Sequence, residues 1–173
     1  SGIDEIVPEG VRTADGSRHE LDVLVLATGF EATDYLSTLD VTGRGNRKLR
    51  DVWSDGAYAY LGMTIPGFPN LFLLYGPNTN QGSIIFMIES QVEHVLRLVK
   101  ARRRGAFWTI EADERRTRRY NRRLERTFAQ SVWHSCSNYY TTASGRIPTQ
   151  YPWSCVRYWL ATRAVRAWAY VRH

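Results

Sequence analysis

The chain changes hydrophobic pattern several times along its length. Residues 3–21 read as short strands joined by turns. Asp15-Gly16 sits between Gly10-Val11-Arg12-Thr13 and Arg18-His19-Glu20-Leu21, a hairpin signal. Val23-Leu24-Val25-Leu26-Ala27 is a continuous apolar run, as expected of a strand buried on both faces of a parallel sheet. It ends at Thr28-Gly29, where glycine permits a sharp backbone exit. Residues 31–60 predict irregular structure, with Gly43-Arg44-Gly45-Asn46 as a loop. Pro66-Gly67-Phe68-Pro69 predicts a turn, and Asn70-Leu71-Phe72-Leu73-Leu74-Tyr75 a second buried strand closed by Gly76-Pro77.

A helical period follows. Ile84, Ile85, Ile88, Val92, Val95, Leu96 and Val99 recur at three- and four-residue spacing, which predicts a long helix burying that stripe. Ser83 is placed to cap its start and Gly105 to stop it. Phe107-Trp108-Thr109-Ile110 reads as a short strand, and residues 112–130 as a second helix with a narrow apolar face of Tyr120, Leu124 and Phe128. Beyond Ser131 the sequence turns irregular and aromatic, and residues 153–171 fit neither period cleanly. No internal repeat is visible.

Composition sharpens this picture at few points. The 173 residues suffice for a sizeable core, and 43% apolar with 13% aromatic content favours a packed protein over a disordered one. The net charge of +6 is regional: residues 102–126 hold ten arginines against four acids. The arginine-rich helix within it reads as a solvated helix face rather than a nucleic-acid footprint, since no aromatic stacking platform accompanies that helix beyond Tyr120. Cys136 and Cys155 lie nineteen residues apart without a CxxC, and the four histidines show no metal spacing; two reduced, buried thiols are expected. No signal peptide opens the chain and no apolar run reaches membrane-spanning length, so a cytoplasmic protein is expected. Trp and Arg in residues 153–171 leave an interfacial membrane segment as an alternative to a tail packed on the rest of the fold, and the packed tail is preferred.

Several segments, taken in order, resemble one family. Asp22-Val23-Leu24-Val25-Leu26-Ala27-Thr28-Gly29-Phe30 resembles the D-x-hydrophobic-x-x-A-T-G-F segment of flavin-containing and Baeyer–Villiger monooxygenases. Pro69-Asn70-Leu71-Phe72 and Tyr75-Gly76-Pro77-Asn78 resemble the later segment where the FAD-binding domain closes over the flavin. Ile88-Glu89-Ser90-Gln91 resembles the helix after it. Val132-Trp133-His134-Ser135-Cys136-Ser137-Asn138-Tyr139-Tyr140 resembles a V-W-x-x-C-x-S-W-Y element of Baeyer–Villiger members, continued by Gly145 and Tyr151-Pro152. Tyr139 stands where the family usually has Trp, and Arg146 follows Gly145 where the family has Asn.

The resemblance implies an α/β protein: the C-terminal segment of a Rossmann-like FAD/NAD(P)-binding fold, followed by a helical and irregular aromatic-rich region. Residues 1–105 would be the FAD-domain part and 106–173 the region packed on it. It implies FAD and NADPH as cofactors, and a ketone, O2 and the upstream part of the same enzyme as partners, with neither nucleic acid nor membrane. No G-x-G-x-x-G occurs, and the family's catalytic arginine precedes the A-T-G-F segment. The chain is therefore expected to be the last third of such an enzyme, with no catalytic residue of its own and inactive alone. An N- or S-oxidising flavin monooxygenase and a non-catalytic interaction fragment are the alternatives. The cofactor-facing residues implied are Thr28, Gly29, Asn78, Asn80, Gln81, Ser83, Ile84 and Tyr139. The positive end of the helix that starts at Ser83 would face the flavin pyrimidine ring.

Overall fold

The computed structural model describes residues 2–27, 29, 32–105, 109–135, 139–164 and 167–171. They form two compact units, residues 1–30 and residues 31–173.

The first unit is a three-stranded antiparallel sheet of β1 (Ile3–Val7), β2 (Gly10–Thr13) and β3 (Arg18–Glu20), in that order. Ile6 faces Val11 and Val7 faces Gly10 across the first pair, with a bulge between Ile3 and Glu5. Asp15 organises the turn into β3: its carboxylate accepts from the Thr13 hydroxyl at 2.6 Å and from the Ser17 N–H at 3.0 Å. Gly16 there adopts φ +87°, which favours glycine.

The apolar run that follows departs from expectation. Residues 23–27 form no strand, and Val23, Val25 and Leu26 are exposed, Val25 to 80%. A strand needs ladder partners for its N–H and C=O groups, and the described residues offer none to this run.

Among the described residues, the second unit holds five helices: α1 (Leu49–Val52), α2 (Ile84–Arg103), α3 (Glu114–Phe128), α4 (Val132–Ser135) and α5 (Cys155–Arg163). Short 3-10 turns span Arg44–Asn46 and Ala167–Ala169, so the predicted loop at 43–46 is partly helical. Asp113 and Ser154 cap α3 and α5, accepting from the N–H groups of Arg116 at 2.8 Å and Arg157 at 3.3 Å. Residues 70–75 are not a strand either. Asn70 and Tyr75, at its two ends, adopt φ +60° and +55°, which breaks an extended run. Leu73 still docks its N–H on the Met63 carbonyl at 2.8 Å. Of the expected strand at 107–110, residues 107 and 108 lie outside the described residues; Ile110 is buried, its carbonyl accepting from the Asn70 N–H at 2.8 Å and its N–H donating to the Asn70 side-chain oxygen at 3.1 Å.

Among the described residues, three apolar clusters make the core of this unit. One gathers Leu49, Trp53, Ile65, Phe68 and Leu73. A second joins Tyr60, Leu61 and Met63 to Leu98 of α2, Ile110 and Tyr170. The third sets Met87 of α2 against Leu124 and Phe128 of α3, with Ile147, Tyr151 and Tyr158 of α5.

Helix α2 buries a face rotated from the one expected, with Ile88 and Val95 of the expected stripe half-buried at its border and Val95 packed against the core. Met87, Ser90, Gln91, His94 and Leu98 are buried, whereas Ile84, Ile85, Val92, Leu96 and Val99 are exposed, Ile85 to 70%. The polar members of the buried face are each tied down. Ser90 Oγ donates to the Phe86 carbonyl at 2.8 Å, and Gln91 Nε2 to the Tyr158 hydroxyl at 2.9 Å. His94 lies between the Thr162 carbonyl (2.7 Å) and the Tyr170 hydroxyl (2.9 Å), a satisfied core histidine. Specific hydrogen bonds let this face go inside, which apolar spacing cannot register.

Candidate functional site

The loop from Tyr75 to Ser83, between the second cluster and α2, gathers most of the residues singled out above. Its course is set by close backbone approach. Gly62, at φ +68°, lies so near that a Cβ there would stand 2.1 Å from Thr79 Cγ2 and 2.8 Å from the Pro77 oxygen. A Cβ on Gly76 would meet the Gly62 oxygen at 2.4 Å. The two glycines therefore let the 60–64 turn and the 76–79 loop touch directly. Thr79, fully buried, donates its hydroxyl to the Gly76 carbonyl at 2.6 Å.

Segment 147–153 clamps the same loop from the other side. Asn78, buried and at φ +55°, donates both amide hydrogens, to the Ile147 oxygen (2.7 Å) and the Gln150 oxygen (2.9 Å). Its backbone N–H donates to the Pro148 oxygen at 2.6 Å. Asn80 forms a parallel bridge with Gln150, giving its N–H to Thr149 and accepting from Tyr151, each at 3.0 Å. Its side-chain oxygen accepts from the Tyr75 hydroxyl at 2.7 Å. Burial, and then Tyr140, push the Tyr75 phenol up, so it stays a donor. Gln81 Nε2 donates to the Trp153 oxygen at 3.0 Å. Gln91 anchors the loop's start, its Oε1 accepting from the Tyr75 N–H at 2.7 Å.

The helix that leaves this loop opens outward. Ser83 caps it, its Oγ accepting from the Phe86 N–H at 3.3 Å, and Ser83, Ile84 and Ile85 are all exposed. Among the described residues no acceptor meets the N–H of Ile84 or Ile85. Such first-turn N–H groups, with the positive end of a twenty-residue helix behind them, favour an anionic or electron-rich acceptor.

Tyr139 is exposed, its hydroxyl bonded to that of Tyr140 and its ring 4.0 Å from the Tyr140 ring. Tyr140 in turn packs in the same cluster as Tyr75 and Phe86. Gly29, at φ +75°, belongs to the first unit, with open space where a Cβ would be. Thr28 lies outside the described residues, as does Cys136; Cys155 is a half-buried free thiol donating to the Gln81 oxygen at 3.5 Å. Sequence reasoning did not find Gln91, Gln150 or the 147–150 carbonyls, whose contacts with the loop are long-range and leave no local pattern. Among the described residues no metal-binding cluster occurs, and no helix is long and apolar enough to cross a membrane.

No family profile matches the chain. Individual proteins do. A "Baeyer-Villiger monooxygenase" of Pseudomonas aeruginosa is 39% identical over 174 residues, 98% of this chain and 33% of its own length. The "FAD-binding monooxygenase ktnD" of Aspergillus niger is 38% identical over 175 residues, 96% of this chain and 28% of its own. The solved structure of OTEMO in complex with FAD and NADP superposes with a TM-score of 0.78 at 29% identity, covering 92% of this chain and 30% of that one. The chain thus spans about a third or less of the proteins it resembles. Near-complete coverage of this chain, at such identity and backbone likeness, leads to one assignment: it belongs to the Baeyer–Villiger-type flavin monooxygenase family, as a C-terminal portion of such an enzyme.

Proposed function

We propose that the chain forms one wall of the flavin site in an FAD- and NADPH-dependent monooxygenase, which inserts one atom of O2 beside a ketone carbonyl. The observation that carries this reading is the open start of α2: Ile84 and Ile85 are exposed, and among the described residues no acceptor meets their N–H groups, at the end of a loop held from both sides. These residues fit an electron-rich ring edge. When bound, the flavin supplies the redox chemistry with oxygen, and NADPH its reducing equivalents.

This chain's part is positional. The N–H groups of Ile84 and Ile85 and the α2 dipole, a contribution of about 0.3–2 kcal/mol, stabilise negative charge on the flavin pyrimidine edge. Asn78 acts through the backbone it fixes, since both its amide hydrogens are spent on carbonyls. Asn80 and Gln81 hold the loop's path, and Ser83 sets the first turn. Thr28-Gly29 would let the chain pass close to the cofactor, and Tyr139 would meet the nicotinamide side. In the complete enzyme, residues 1–105 are assigned to a Rossmann-like FAD domain and 106–173 to the region packed on it. The exposed apolar residues of 23–27 and of α2 support this, as surfaces that the remainder of such an enzyme covers.

A hybrid provides the test, with this chain replacing the matching portion of the P. aeruginosa relative. It should retain FAD and consume NADPH in a ketone-dependent manner, with ester as product. The chain alone should purify colourless. A folded hybrid without bound flavin, or a yellow isolated chain, contradicts the proposal.

A further inference from the structure

A second surface lies along α3 and α5, away from the loop described above. Arg116, Arg119 and Arg123 share one face of α3 at three- and four-residue spacing, and Arg157 joins them from α5. Two adjoining hollows of about 380 and 300 Å³ run beneath them and share Tyr60, Tyr120 and Arg123. Both lie within the span of small-ligand pockets, roughly 300–1,000 Å³.

The charges in this groove are not balanced. Among the described residues, no carboxylate pairs with Arg116, Arg119, Arg123 or Arg157. The acids of α3 are engaged elsewhere: Glu114 with Arg118 at 2.6 Å, Glu125 with Arg146 at 3.2 Å, and Asp113 as the helix cap. Two guanidinium groups nevertheless converge on one indole, Arg157 at 4.2 Å and Arg123 at 5.5 Å from the Trp153 ring centre. Arg116 lies 4.6 Å from the Trp168 ring centre. Indoles hold the guanidinium planes in place, while like charges this close repel until an anion lies between them. Apolar side chains line the groove as well, with Leu160, 59% exposed, beside Leu61 and Ala161. Among the described residues, the buried Tyr120 hydroxyl meets no hydrogen-bond partner.

The geometry points to a binding site for a small organic phosphate with a flat apolar body, the phosphate held by Arg123 and Arg157 and the body lying over Tyr60 and Leu160. Guanidinium forks match phosphate oxygens in pairs, and four cations suit a dianion better than a single carboxylate. The groove is concave, which does not suit the plane of a bilayer. This site is independent of the flavin reading.

Calorimetric titration of the chain with 1-naphthyl phosphate, inorganic phosphate and 1-naphthol tests it. Naphthyl phosphate should bind at least about tenfold tighter than either part alone, the difference expected for one charge-assisted contact. The Arg123→Gln/Arg157→Gln double variant should lose about tenfold or more of that affinity with its helical circular dichroism intact. Arg119→Gln serves the same purpose if the double variant does not fold. Arg50→Gln, which removes a cation paired with Asp40, should bind like the parent. Absence of binding, equal affinity for inorganic phosphate, or equal loss in Arg50→Gln overturns the assignment.

Discussion

At position 62 any side chain would collide with the loop it supports. A Cβ would meet Thr79 and the Pro77 oxygen, at a backbone φ of +68°. Gly62→Ala should therefore lower the stability of the chain by at least about 2 kcal/mol, read as a shift in urea midpoint. Shortening Thr79 to Ser should recover only part of it, because the Pro77 clash remains. His94 gives a pH signature. Burial is the main cause that lowers its pKa; Arg97 lowers it further, and the bond to the Thr162 carbonyl opposes. The folded chain then binds fewer protons than the unfolded one, whose histidine titrates near 6.5. Stability is full above about pH 6.5 and falls as pH drops below it, until the folded pKa is passed. His94→Gln should flatten that part of a stability–pH profile, whatever it costs at neutral pH. Of the individual site residues, Ser83 was legible because N-caps have a local signature. The double clamp by Asn78 was not, since its partners lie about seventy residues downstream.

Among the elements, α2 is the most instructive. Its existence, start and length follow from period and cap, but its orientation does not. The apolar stripe Ile85, Val92, Leu96 and Val99 is exposed, and Gln91 and His94 are inside with dedicated partners. Hydrophobic spacing reports a face that wants covering, without saying by what. Ile85→Glu with Leu96→Glu should accordingly leave the unfolding midpoint nearly unchanged and raise the solubility of the chain. Leu98→Ala, on the buried face, should cost about 2–5 kcal/mol. Ser83→Ala should cost about 1 kcal/mol through the lost cap. The apolar runs at 23–27 and 70–75 teach the same lesson. Their composition suits buried strands, yet strand formation depends on ladder partners that the described residues do not provide.

For the whole molecule, the order of motifs carried more than any element did. The resemblance drawn from Ala27-Thr28-Gly29-Phe30, Tyr75-Gly76-Pro77-Asn78 and the Trp133 segment agrees with relatives that match nearly all of the chain. What that order could not reveal is how loop 75–83, segment 147–153 and α5 lock together, because such packing is set in three dimensions. The account rests on the start of α2 serving as a wall of the flavin site. A crystal structure of the P. aeruginosa hybrid with FAD measures that directly. The account predicts the N–H groups of Ile84 and Ile85 within hydrogen-bonding distance of the flavin pyrimidine ring. A flavin seated elsewhere, with those groups still facing water, would contradict it.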